Sequence, residues 1–134
     1  MEIILAENHG FCYGVKRAVE MANEAADSDG KSYTLGPIIH NPQVVGRLES
    51  KGVSPIQEVS DIDEGTMIIR SHGVGPAIYE AAEEKGLNIL DATCPHVKKA
   101  QQDAKSVIED GMTLVILGEK NHPEVKSINL WANN

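Results

Sequence analysis

The chain has 134 residues, 41% of them hydrophobic and 24% charged, with a net charge of −8. That balance suits a small globular protein with a core and excludes a disordered chain, while an acidic surface with few aromatics argues against general nucleic-acid binding. The longest aliphatic runs, such as LVIL at 114–117, are too short to cross a bilayer. The start at Met1 and Glu2 has no basic n-region, so the reading is a cytoplasmic protein without membrane attachment.

Residues 2–6 (EIILA) predict a short buried strand. From Val15, apolar residues recur at Ala18, Val19, Ala22 and Ala26, which is helical spacing. Strand-like runs return at 32–35, 66–70, 88–92 and 113–117. Between them, helical patterns follow Pro42 (Val44, Val45, Leu48), Pro76 (Ile78, Ala81, Ala82) and Pro95 (Val97, Ala100, Ala104, Val107, Ile108). Proline in the first turn costs a helix little, and Gly30, Gly52, Gly86 and Gly111 stand where helices should stop. The alternation predicts an α/β fold with a mostly parallel sheet.

Two short stretches repeat. GFCYGVKRA at 10–18 and DATCPHVKKA at 91–100 share Cys-x-x-Val-Lys-(Lys/Arg)-Ala, placing Cys12 and Cys94 82 residues apart. His40 and His122 are separated by the same interval, each close to a proline. The shared offset predicts one complete α/β unit over 1–93 and the start of a second over 94–134. The ending SINLWANN has no closing strand, which reads as an interrupted second unit.

Cys12, His40, His72, Cys94 and His122 each fall after a predicted strand, at or before a predicted helix start. In an open parallel sheet, strand C-termini share one edge, and ligands bind there. A cysteine at a helix N-terminus is biased toward thiolate, the form that a soft metal or iron–sulfur cluster needs. Gly10 and Gly14 flank Cys12 and leave room for a bulky group. The histidines could donate to an anion or coordinate a metal. His72 lies in SHGVGP, a turn suited to phosphate, although Ile78 stands where a dinucleotide fingerprint needs its third glycine. His9 and His96 read as structural or solvated. Glu124, in HPEV, is either a first-turn acid favoured by the helix dipole or a proton donor. Its His-x-Glu context lacks the Pro-Cys-x-x-Cys that a zinc deaminase requires.

GFCYGVKRA, IIHNPQVV, RSHGVG, DATCPHV and GEKNHPEV, in this order and spacing, resemble the 4-hydroxy-3-methylbut-2-enyl diphosphate reductases, and the resemblance spans all 134 residues. Members are longer, with three similar α/β units around a 4Fe–4S cluster. The resemblance implies that Cys12 and Cys94 are two of three cluster cysteines. It implies that His40, His72 and His122 contact the substrate diphosphate and that Glu124 delivers protons. The implied reaction is reductive dehydroxylation to isopentenyl and dimethylallyl diphosphate, with ferredoxin or flavodoxin as the type of electron donor. The third cysteine would belong to the absent third unit, so this chain alone is expected to be inactive or to bind metal weakly. Two other readings remain: a non-redox module binding an anion or divalent metal through the three histidines, and a partial domain that self-associates.

Overall fold

The computed structural model describes residues 1–132. Strands β1 (Ser32–Leu35), β2 (Val53–Ile56), β3 (Thr66–Ile69) and β4 (Asn88–Asp91) form one parallel sheet in the order β2-β1-β3-β4. Their starts are level: Ser32 lies opposite both Val53 and Thr66, and Thr66 lies opposite Asn88. The helices are α1 (Tyr13–Ala26), α2 (Pro42–Ser50), α3 (Pro76–Glu84), α4 (Pro95–Glu109) and α5 (Pro123–Ala132), with a 3-10 helix at Val59–Asp61. The predicted α/β class is the observed one.

Four of these α-helices open on a proline, whose absent N–H would have been unpaired there in any case. Asn41 caps α2 by accepting from the Val44 N–H at 3.0 Å. Gly52, Gly86 and Gly111 close α2, α3 and α4 in the left-handed conformation that favours glycine.

The sheet buries both faces. Along β3, Ile68 joins Ala18, Ala22, Val44 and Leu48 of α1 and α2 on one side. Met67 and Ile69 join Ala82 of α3 and Val59 of the 3-10 helix on the other. This period-two division is why the strand reads as a continuous apolar run. Helices α4 and α5 pack against each other beyond β4.

Two expectations need correction, and two elements were not expected. Residues 2–6 form no strand: Ile3, Ile4 and Leu5 are exposed and no backbone ladder engages them. Residues 113–117 likewise stay outside the sheet, with Val115 and Leu117 exposed. Apolar pattern supplies one half of a strand, but the other half is a neighbouring backbone, which these segments do not have among the described residues. Conversely, β2 escapes the pattern because Ser54 and Pro55 interrupt it. Proline is tolerated there because β2 is an edge strand. The structure also adds α5 to the four helices expected from spacing.

These differences predict unequal mutational costs. Ile68→Ala should lower stability by about 2–5 kcal/mol, whereas Ile3→Ala should change it by less than about 0.5 kcal/mol. Urea unfolding of this chain checks both. A large cost at Ile3 would mean that the first segment is packed after all.

Candidate functional site

From β1 the chain moves outward to β2, then returns past β1 to β3, so the strand order reverses between β1 and β3. Such a switch point opens a crevice at the strand C-termini. His40 follows β1 and His72 follows β3, so the topology sets these histidines on the two walls of that crevice. Their ring centroids are 4.7 Å apart. His122, just before α5, completes the group, with its ring 5.6 Å from His72 and 6.3 Å from His40. One ring nitrogen from each lies within 4.8 Å of the others. The three histidines singled out in the sequence therefore meet, although only two of them follow true strands.

The local hydrogen bonding bears on what this trio can hold. His122 Nδ1 accepts from the Glu124 N–H at 3.3 Å, so a neutral His122 carries its proton on Nε2 and presents a donor. His72 Nδ1 is buried without a hydrogen-bond partner. Burial, then the positive fields of His40, Arg70 and His122, push the His72 pKa down from 6.5 to about 4. Three imidazoles could ligate a divalent metal, but ligation through His122 Nε2 would forfeit the bond to Glu124. Donor chemistry toward an anion keeps it.

Cys12 and Cys94 are the residues immediately before α1 and α4, and both thiols are free. Neither makes a capping bond with its side chain, so each sulfur remains available at the positive end of a helix. The two helix starts abut at Gly14. A Cβ there would lie 2.4 Å from Cys94 Sγ, so glycine is what lets the thiol sit against α1. No third histidine, cysteine or carboxylate joins these two cysteines in a metal-sized group among the described residues. The pair fits part of a thiolate ligand set and is insufficient for a closed one.

Hydrogen bonds past the strand ends hold these loops together. The Ser71 N–H and hydroxyl both donate to Ile38 O, and Ser71 O accepts from the Cys94 N–H at 2.9 Å. Gln101 Nε2 donates to Ser127 Oγ at 3.2 Å, and that hydroxyl lies 2.8 Å from His72 O and 3.0 Å from Glu124 O. Asp91 accepts from the Thr93 N–H, Tyr79 Oη and Lys98 Nζ, which fixes the approach to Cys94. Burial alone would raise the Asp91 pKa; Lys98 and the Thr93 bonds together hold it below the usual carboxylate range. Sequence reasoning missed Ser71, Gln101 and Ser127. A signal existed for Gln101, which interrupts the apolar face of α4 between Val97 and Ala104 yet is buried.

Glu124 occupies the first turn of α5, half-buried, two residues beyond His122. His9 is exposed and bonds Ala6 O locally, and His96 is exposed, in keeping with the structural reading of both.

A depressed histidine pKa has a definite sign. The neutral His72 ring favours the fold above the unfolded pKa, and that stability is lost as pH falls from 6.5 toward about 4. The melting temperature of this chain should therefore fall more steeply between about pH 7 and about pH 4.5 than that of His72→Gln. Melts followed by circular dichroism at both pH values test this, and parallel slopes would rule out a depressed His72.

A family model described as LytB protein matches residues 3–134. A 4-hydroxy-3-methylbut-2-enyl diphosphate reductase of Geotalea uraniireducens (strain Rf4) is 54% identical over 99% of this chain and 47% of its own length. One of the same name from Geobacter sulfurreducens is also 54% identical, over 98% of this chain and 47% of its own length. A solved structure of (E)-4-hydroxy-3-methyl-but-2-enyl diphosphate reductase, the terminal enzyme of the non-mevalonate pathway, superposes with a TM-score of 0.85. It is 51% identical over 96% of this chain and 46% of that one. The Plasmodium falciparum E-1-hydroxy-2-methyl-but-2-enyl-4-diphosphate reductase gives a TM-score of 0.90 at 34% identity, over 94% of this chain and 40% of that one. The chain thus spans about half the length of the curated relatives it matches. With a single family model covering nearly every residue and relatives above half identity, the chain belongs to the LytB protein family.

Proposed function

We propose that this chain supplies part of the active site of a reductase that converts 4-hydroxy-3-methylbut-2-enyl diphosphate to isopentenyl and dimethylallyl diphosphate. The observation that carries this reading is the convergence of His40, His72 and His122 at the crevice, with His122 set by its Nδ1 bond to offer an N–H. In this reading the three imidazoles hold the diphosphate, and binding energy at that non-reacting end orients the distant hydroxyl. Residues 1–93 form the complete unit and 94–134 open a second, which contributes His122, Glu124 and Cys94.

Cys12 and Cys94 are the candidate protein ligands of a 4Fe–4S cluster, and a third would come from residues beyond this sequence. When bound, such a cluster supplies one-electron redox chemistry and Lewis acidity near the hydroxyl. The reaction consumes two electrons and two protons: the allylic C–O bond breaks, a C–H bond forms, and the oxygen leaves as water. A ferredoxin- or flavodoxin-type protein is the proposed electron donor. Glu124 is the proposed proton donor. The link from its backbone N–H to the His122 ring couples the acid's position to the diphosphate-binding imidazole. Among the described residues no helix is long and apolar enough to cross a membrane, which is compatible with a substrate and donor met in water.

Two measurements test the proposal. Pyrophosphate should bind this chain, and His40→Ala or His122→Ala should each weaken it about tenfold, the scale of one charge-assisted hydrogen bond. Calorimetry showing unchanged affinity in both variants would sink the diphosphate assignment. Chain expressed with iron and purified without oxygen should show a visible and EPR cluster signal that Cys12→Ala removes, if an external ligand completes the set. Iron bound equally by the Cys12→Ala protein would remove Cys12 from the site.

A further inference from the structure

The loop 70–75 that carries His72 divides the crevice into two halves. On the α1 side lies a small cavity of about 210 Å³ bounded by Val15, Ile39, His40 and His72. On the α3 side lies a larger one of about 360 Å³, which has no part in the reaction described above. Its polar lining includes Arg70, Lys126, Asn121 and Gln57, and no acidic residue among the described residues borders it. Its apolar wall includes Leu35, Val74, Ile78 and Leu130.

Arg70 is the unusual feature. Its guanidinium is half-buried, burial pushes its pKa down, and no ion pair with a carboxylate offsets this among the described residues. Arg70 Nε is buried with no hydrogen-bond partner. An arginine does not escape this cost by losing its proton, and buried charges in folded proteins are normally paired. Room is made for it by Gly36, which turns at a φ of +69°; a Cβ there would come within 2.9 Å of Arg70 Nη1. A cation kept in a cavity without an internal counter-ion, beside Lys126 and opposite an apolar wall, calls for an amphiphilic anion.

We infer that the cavity bounded by Arg70, Lys126 and Asn121 is a second anion subsite, separate from the histidine trio, that takes a small organic phosphate. The phosphoryl oxygens accept from the Arg70 fork and from Lys126, and the organic group lies on Val74, Ile78 and Leu130. A volume of this size exceeds the need of a bare phosphate and falls within the range of small-ligand pockets.

The test uses n-butyl phosphate and inorganic phosphate as probes, titrated calorimetrically into a His40→Ala/His72→Ala variant of this chain so that the histidine site loses two of its three donors. n-Butyl phosphate should bind, and about tenfold more tightly than inorganic phosphate, the equivalent of roughly two buried methylenes. Adding Arg70→Met should weaken it at least about tenfold. Lys126→Glu, a substitution of an exposed side chain, should weaken it at least about fivefold and serves if Arg70→Met does not fold. Absence of n-butyl phosphate binding in the double histidine variant would overturn the inference. So would affinity indifferent to both the Arg70 and Lys126 substitutions.

Discussion

Everything at the candidate site depends on the parallel ladder continuing beyond its strands. Ser71 bonds back to Ile38 and receives the Cys94 N–H, so the loops leaving β1, β3 and β4 are tied together in the order of the strands themselves. Backbone groups at the end of a buried sheet cannot be left unpaired without a cost of about 1–3 kcal/mol each. Ser71, nearly fully buried, spends its N–H, hydroxyl and carbonyl on this one task. Because the ties are short and local, His40, His72 and Cys94 are fixed to the rigid sheet even though each sits on a loop.

His122 and Glu124 reach the site by a different route. No strand positions His122 or Glu124. They are held by α5, which packs on α4 and is pinned through the Gln101–Ser127 pair to the His72 carbonyl. The close fit of Gly73 against Gln101, 2.4 Å from where a Cβ would stand, explains why that turn is glycine. Arg17 adds a bond from α1 to the carbonyl of Thr93, next to Cys94. Polar side chains thus tie α4 and α5 to the loop after β3, as apolar packing ties the other helices to the sheet.

An acidic protein with net charge −8 holds a locally basic crevice. Asp91 beside it is paired with Lys98, while His40, His72, His122 and Arg70 crowd the loops around the switch point. Burial, and after it the positive fields of His40, Arg70 and His122, favours the neutral form of His72. The relatives it matches are about twice as long as this chain.

The sequence by itself determined the class of fold, the starts of α1, α2, α3 and α4, and the identity of the residues worth watching. Proline and glycine act locally, and apolar periodicity records which face is buried, so these features need no knowledge of distant neighbours. The equal spacing of Cys12 and Cys94, and of His40 and His122, also lies open in the chain. What only the tertiary structure decided was which apolar segments pair: EIILA and TLVIL look like strands but find no ladder, whereas VSPI, broken by Pro55, takes the edge of the sheet. The strand order, and with it the meeting of His40 and His72, was equally invisible, because a switch point is a relation among non-adjacent segments. So was the isolation of Arg70, since a charge is orphaned only with respect to the neighbours that folding gives it.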